Sequence, residues 1–257
     1  NTPSTSVAIN IIVPILLVII GYLVGSIPNS IWIGKIFFHK DPRDYGSGNA
    51  GGTNAGRIFG KRIGVLVIFL DAIKLLIPLY IAWAILTKVP MVDGRALVAD
   101  IRDTYIYHDN DFVIKWPVYW VISMAVSVGH CYPIFAGFRG GKNVSSFWGL
   151  LASISWVLFL GPGLLYLLIL KLKKYVSLAS ITTCWVAVIL SWTWSILILT
   201  NVIQGEACYI IGYGPGVDLG YVSSICVTLS AALLTIKHRG NIQRLKSGTE
   251  RKITWMK

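Results

Sequence analysis

Acidic residues are scarce in this chain: 11 Asp and Glu stand against 23 Lys and Arg, for a formal net charge of +12. They form no cluster of the kind that holds magnesium for phosphotransfer. Cysteine is also sparse. Cys131, Cys184, Cys208 and Cys226 are widely spaced with no C-x-x-C pair, which argues against zinc or thiol-redox chemistry and favours buried thiols in apolar helices. There is no G-x-S-x-G elbow and no H-E-x-x-H pair. No internal repeat marks the chain as one of the many secondary transporters built from inverted halves, and no low-complexity tract interrupts it.

Apolar residues, by contrast, make up 55% of the 257 residues and fall in blocks too long for a soluble core. About 18–20 uncharged residues suffice to cross a bilayer. Such blocks occur at 7–27, 63–87, 117–136, 144–170, 175–203 and 217–236. The first has neither a basic leader nor a small-residue cleavage site, so it reads as a retained span rather than a signal peptide. The expected fold is all-α, a polytopic integral membrane protein in one domain over 1–257.

The bases orient it. Lys35, Lys40, Arg43, Arg57, Lys61 and Arg62 follow the first block, Arg139 and Lys142 the third, and Lys171, Lys173 and Lys174 precede the fifth. Seven more lie between Lys237 and Lys257. Six spans would leave the last two groups outside, against the positive-inside rule. Seven spans gather all four groups inside if the 144–170 block is two short helices. Gly161-Pro162-Gly163 or the Ser153 to Ser155 region would supply the break. The expectation is therefore seven transmembrane helices, two of them short, with the N-terminus outside and the C-terminus cytoplasmic. A half-length pair is tolerated only when packed against protein. The 88–116 segment becomes an external loop, in which "YIYHDNDF" forms either a small hairpin or a surface-lying stretch.

On that topology three polar clusters share the cytoplasmic face: "YGSGNAGGTNAGR" (45–57), "FRGGKNV" (138–144) and "KHRGNIQRLKSGTE" (237–250). Each combines glycine, a base and asparagine. The first packs five glycines into residues 46–56. Since each interior glycine costs a helix about 1 kcal/mol, this is backbone shaped for a purpose. Successive N–H groups form an anion nest, and Lys or Arg supplies charge, so the mixture suits phosphate. Gly46-x-Gly48-x-x-Gly51 formally matches a dinucleotide fingerprint, with Asp71 twenty residues on. But no strand precedes it, and Asp71 lies inside an apolar block. "RGGKN" lacks the spacing and the hydroxyl of a P-loop. Within the second block, Asp71 and Lys74 lie three apart on one helical face and are expected to pair. His130 in "GHCYP" is expected to be a packing residue. This inventory stabilises anions better than it performs hydrolysis, and fits transfer of a group that arrives already activated.

"GSIPNSIWIGK", "GSGNAGGTNAGRIFGKRIGVLVIFLDAIK", "GHCYPIFAGFRGGKNV", "KKYVSLAS" and "HRGNIQRLKSGTE" together resemble the bacterial membrane acyl-phosphate:glycerol-3-phosphate acyltransferases in order and spacing. The resemblance covers roughly residues 21–88 and 118–252. It implies transfer of a fatty acyl group from acyl phosphate to the 1-hydroxyl of glycerol 3-phosphate, giving lysophosphatidate and inorganic phosphate, the first step of phospholipid synthesis. The implied location is the bacterial plasma membrane, among membrane lipids. No cofactor, no metal, no nucleic acid and no obligate protein partner are expected.

Carried over residue by residue, the resemblance makes Ser47 and Arg57 the functional pair of the first motif. Gly46, Gly48, Asn49, Thr53 and Asn54 shape its loop. Lys142, after Gly140 and Gly141, becomes the phosphate-binding lysine. His238 and Asn241 become the key pair of the third motif, supported by Glu250, with Ser180 a further substrate contact. Arg57, Lys142 and glycine N–H groups would neutralise the leaving phosphate and the carbonyl oxyanion, while His238 and Asn241 hold the acceptor. Either His238 or the acceptor's own phosphate would take the hydroxyl proton. Direct transfer in a ternary complex is favoured over a Ser47 nucleophile, which has no visible partner base. Asn143 and Gly240 depart from the family, which usually has glycine and an acid there, and the 88–116 loop is long. A transporter or flippase for an organophosphate or anionic lipid is the alternative. It would need polar residues through the bundle, where only Asp71 and Lys74 carry charge.

Overall fold

The structure, a computed structural model, describes residues 3–92, 95–96, 107–108, 111–112, 119–200, 202–203 and 220–253. Ten α-helices dominate these residues: α1 (Pro3–Gly25), α2 (Asn29–Phe38), α3 (Gly52–Phe59), α4 (Lys61–Lys88), α5 (Tyr119–Cys131), α6 (Val144–Ile154), α7 (Trp156–Lys173), α8 (Val176–Leu199), α9 (Tyr221–Lys237) and α10 (Arg239–Lys246). Five segments are long and apolar enough to cross a membrane: Ile9–Phe38, α4, Tyr119–Ala136, α7 and α8. The pair α9 and α10, bent by 59°, passes together as a sixth, and α6 is apolar but short. In the 88–116 region Tyr107 lies opposite Phe112 and His108 opposite Asp111 in an antiparallel pair, while the rest of "YIYHDNDF" lies outside the described residues. Pro90–Val92 pairs antiparallel with Arg95–Ala96.

The break in the 144–170 block falls at Ser155, whose backbone is extended (φ −159°, ψ 135°). Its Oγ accepts from the N–H groups of Val157 and Leu158 at 3.2 and 3.4 Å, so the interrupted chain supplies its own N-cap. Gly161-Pro162-Gly163 lies inside α7, and only α6 is short; the expectation of two short helices is corrected accordingly. Eleven residues rise about 16 Å, half a hydrocarbon core of about 30 Å, whereas the 18 of α7 rise about 27 Å. Packing explains the choice. Trp148 of α6 meets Phe159 and Tyr166 of α7 edge-on, at 5.9 and 5.8 Å, with the Gly163 backbone between them. Positions 159, 163 and 166 share a face only if α7 is continuous through the proline.

The interior is built from small hydroxyls as well as large apolar groups. Trp120, Phe147, Leu75, Leu79, Leu150 and Leu151 are fully or almost fully buried, while α1 and α7 expose Ile12, Ile15, Ile19, Leu164, Leu168 and Leu172. Between them lie buried Ser123, Ser127, Ser146, Ser191, Ser195, Ser223, Ser224 and Ser230. Small residues let membrane helices approach and hydrogen-bond across the contact. Thus Ser195 and Ser224 share a hydroxyl bond of 2.7 Å, and the Trp192 indole donates to Thr228 at 2.9 Å, joining α8 to α9.

Asp71 and Lys74 pair as expected, at 3.0 Å and deeply buried in α4. Asn29 also donates to Asp71 Oδ1 at 2.9 Å, and Lys74 Nζ donates to the Ile27 carbonyl at 2.9 Å. This small network ties the turn between α1 and α2 to α4.

Candidate active site

The first glycine-rich stretch divides its glycines between two tasks. Gly46 and Gly48 have positive φ (61° and 68°) in the turn before α3. A Cβ on Gly46 would collide with the Asn54 carboxamide. That side chain, almost wholly buried, organises the turn. Its Oδ1 accepts from Ser47 N–H at 2.8 Å, and its Nδ2 donates to the carbonyls of Pro42, Asn49 and Tyr45 at 2.8, 3.0 and 3.1 Å. Gly52 and Gly56 serve packing instead. A Cβ on the facing Gly64 of α4 would lie 2.6 Å from Gly56 Cα, so α3 and α4 touch backbone to backbone. Arg57 is carried on the short amphipathic helix thus fixed.

The second stretch is folded against the end of α5. Gly141 N–H donates to the His130 carbonyl at 3.0 Å, and the His130 ring occupies the space a Gly141 side chain would need. His130 is thereby a packing residue, as expected, and its Nδ1 lies 3.7 Å from Asp71. Asn143 takes the left-handed conformation (φ 65°), which glycine tolerates best and asparagine better than most other residues. Its side chain is fully buried and donates to Ser230 Oγ at 2.8 Å. The departure from glycine is therefore absorbed by α9 and does not intrude on the Lys142 amine.

The third stretch starts at His238, where α9 turns into α10. His238 Nδ1 is 2.8 Å from the Leu234 carbonyl. A carbonyl only accepts, so Nδ1 carries the proton and Nε2 is the acceptor nitrogen of the neutral ring. One turn on, Asn241 bridges two elements: Lys142 Nζ donates to its Oδ1 and its Nδ2 donates to Glu250 Oε1, both at 2.6 Å. Glu250 also accepts from Ser177 Oγ at 2.7 Å and Arg244 Nε at 2.8 Å. A Cβ on Gly240 would meet only Arg244 Nη1, at 3.6 Å, so the acid missing there leaves open space and Glu250 takes the Arg244 charge.

These three stretches converge on one cavity of about 390 Å³. Its walls include Gly46, Ser47, Asn49, Thr53, Asn54 and Arg57 from the first stretch, Lys142 from the second, and His238, Asn241 and Glu250 from the third. Gly48, Gly140, Gly141 and Ser180 are not part of the lining. Ser180 is buried in α8 with its hydroxyl donating to the Val176 carbonyl at 2.9 Å, while Ser177, one turn earlier, faces the cavity. The sequence alone did not single out Ser177, Arg244, Arg251, Trp148 or Tyr166 for this cavity, nor place Asp71 and His130 on it. Ser177 and Arg244 lie within stretches the sequence marks, "YVSLAS" and "KHRGNIQRLKSGTE", but which of their residues face the cavity depends on the phase of α8 from Val176 and of α10 from Arg239.

The electrostatics favour an anion. Burial, and after it the charge of Arg244, pushes the Lys142 amine down to about 8. Burial and the neighbouring Arg251 charge lower Arg57 from the ordinary arginine range. Burial would raise Glu250, but hydrogen bonds from Asn241, Ser177 and Arg244 prevail and hold it low. Four cations line the cavity, Arg57, Lys142, Arg244 and Arg251, against two carboxylates that are already bonded, Asp71 and Glu250. The lining also includes Ile68, Val144, Trp148, Tyr166 and Val176, which are mostly apolar. No group of three or more His, Cys, Asp or Glu suited to a metal occurs among the described residues.

A family model described as glycerol-3-phosphate acyltransferase matches residues 15–248. The chain belongs to the glycerol-3-phosphate acyltransferase family. It is 32% identical over 243 residues to the glycerol-3-phosphate acyltransferase of Listeria monocytogenes serotype 4a, covering 94% of this chain and 98% of that one. It is 35% identical over 253 residues to the enzyme of that name from Mycoplasmopsis synoviae, covering 98% of both. The crystal structure of PlsY (YgiH), an integral membrane glycerol 3-phosphate acyltransferase in its glycerol 3-phosphate form, superposes with a TM-score of 0.68 at 32% identity, over 94% of this chain and 96% of that one. The lysophosphatidic acid form of PlsY gives 0.66 at 31% identity, over 94% and 95%. The chain is thus a polytopic membrane acyltransferase by family, and its three polar stretches line one cavity within that fold.

Proposed function

We propose that this chain transfers a fatty acyl group from acyl phosphate to the 1-hydroxyl of glycerol 3-phosphate, at the cytoplasmic face of a bacterial plasma membrane. The products are lysophosphatidate and inorganic phosphate. The proposal includes seven spans, with α6 the short one, the N-terminus outside and the C-terminus cytoplasmic. The observation that carries it is the convergence of Arg57, Lys142 and His238 on one cavity whose lining also holds the apolar side chains of Ile68, Val144, Trp148 and Val176. The cations fit phosphate, and the apolar side chains fit the start of an acyl chain.

In the reaction, the acceptor hydroxyl oxygen bonds to the acyl carbonyl carbon, and the bond from that carbon to the phosphate oxygen breaks. Phosphate leaves with the bond's electron pair, so the anhydride supplies its own activation and the protein's contribution is placement and charge. Arg57, Lys142 and the N–H groups around Ser47 neutralise the leaving phosphate and the carbonyl oxyanion. Asn241 and His238 hold the acceptor. The hydroxyl proton has two routes, to His238 Nε2 or to a phosphate oxygen of the substrate. Ser47 contributes a hydroxyl at the phosphate rather than a covalent step. No described side chain is in hydrogen-bonding contact with its oxygen as a base, which supports direct transfer.

The test is a single assay on purified protein in lipid, with labelled glycerol 3-phosphate and either palmitoyl phosphate or palmitoyl-CoA. Lysophosphatidate from the phosphate donor alone, lost in Arg57→Ala, is the expected result. Turnover with CoA alone would overturn the donor, and no product from either would overturn the activity.

A further inference from the structure

After α10 the chain runs from Gly248 to Ile253 across the mouth of the first glycine-rich turn, and it is anchored on both sides of Arg251. On one side Glu250 is held by Asn241, Ser177 and Arg244. On the other, Ile253 is buried and its N–H donates to the Lys174 carbonyl at 2.8 Å. Arg251 itself donates from Nη1 to the Gly46 carbonyl at 3.1 Å and lines the cavity beside Arg57.

Two features suit this arrangement to an anionic ligand. The Arg57 guanidinium, exposed to the cavity it lines, has no hydrogen-bond partner among the described residues. Arg251 stands near enough for the two positive charges to oppose each other, and Glu250, whose charge also acts on Arg57, already accepts three hydrogen bonds. Like charges held together by anchors on both chain segments favour a dianion between them. A phosphate oxygen cluster fits two planar guanidinium forks better than any single-charge ligand.

We propose that Arg251 is a phosphate-binding residue, which closes the Arg57 site from the C-terminal strap and grips a substrate phosphate between two guanidinium groups. This rests on the acyltransferase reading given above. The phosphate is that of the acyl donor or of the glycerol 3-phosphate acceptor, and the kinetic arms separate the two. Because its neighbours are pinned, Arg251 is preorganised and loses little side-chain freedom on binding.

The experiment compares wild type, Arg251→Ala, Arg251→Lys and, as a control, Lys252→Ala, whose amine lies over the Tyr175 ring away from the cavity. Steady-state rates are measured with each substrate varied in turn, together with inhibition by inorganic phosphate and thermal unfolding in detergent with and without 10-fold steps of phosphate. Loss of a charge-assisted contact predicts that Arg251→Ala raises KM for one phosphate substrate, and the inhibition constant for phosphate, by about tenfold to a hundredfold. Arg251→Lys recovers part of this and Lys252→Ala changes neither. The substrate whose KM rises is the one gripped. Unchanged KM values and phosphate inhibition, with only a lowered unfolding temperature, would make Arg251 a mere staple on the Gly46 carbonyl and overturn the proposal. If wild type makes no lysophosphatidate, the acyltransferase reading fails by itself. Phosphate-dependent thermal stabilisation, lost in Arg251→Ala, would still report the two-arginine site, and its absence from wild type would overturn it.

Discussion

Lys142 Nζ donates to Asn241 Oδ1 at 2.6 Å, joining residues 99 positions apart in the chain and making the second and third polar stretches one unit. Asn241 in turn hands its own N–H to Glu250. The lysine is thereby aimed by an amide that carries no charge, so its positive charge stays available to a ligand.

That lysine gives a pH dependence. Burial and the Arg244 charge hold Lys142 near 8, below the usual lysine range. In the proposed function the protonated form binds phosphate, so kcat/KM for a phosphate substrate is expected to be full below about 8 and to fall as pH rises through that value. Arg remains charged throughout, so Lys142→Arg removes this limb even where it lowers the plateau. A pH profile from 6 to 10 checks both, and a wild-type profile flat to 9.5 would contradict the assignment.

Asn54 is the residue on which the first turn depends. Asn54→Ala leaves the Pro42, Tyr45 and Asn49 carbonyls and the Ser47 N–H without their partner. The expected cost is about 2–4 kcal/mol of stability, with activity lost alongside. Asn54→Asp keeps the acceptor for Ser47 but loses the donors and adds a negative charge beside the anion site, so it should fail in activity even where it folds. Thermal unfolding read beside initial rates separates the two.

Two glycines predict opposite outcomes for the same substitution. Gly64→Ala drives a methyl into the Gly56 backbone and should cost about 1–3 kcal/mol while displacing α3 and Arg57. A Cβ on Gly163, inside α7, would lie at ordinary contact distance from the Trp148 ring, 3.8 Å, and Gly163→Ala should be neutral or slightly stabilising. Unfolding temperatures in the same detergent compare them directly.

The buried ion pair makes a further claim. Asp71→Asn leaves the Lys74 charge deep in the bundle without its counter-ion, at an expected cost of about 3–5 kcal/mol. The double variant Asp71→Asn with Lys74→Met should recover much of that loss, because no charge then remains to be desolvated. A double variant no more stable than the single one would show that the pair's other hydrogen bonds, from Asn29 and to Ile27, matter more than its charges.

The sequence by itself determined the class of molecule. Apolar blocks report spans because bilayer insertion depends on local composition, and the placement of Lys and Arg suggested the orientation carried into the proposal. It also marked the three polar stretches and the Asp71–Lys74 pair, since helical spacing puts positions three apart on one face. Two choices belonged to tertiary structure. Ser155 and Gly161-Pro162-Gly163 were equal candidates for a break, and the Trp148 ring decided between them by needing Phe159 and Tyr166 on one continuous face. Likewise, nothing local distinguishes Arg244 and Arg251 from the other bases of the tail, or Ser177 from Ser180. They become cavity residues only because α8, α9 and α10 pack so that residues 46–57, 142 and 238–251 meet, and that meeting is a property of helix packing across some two hundred residues.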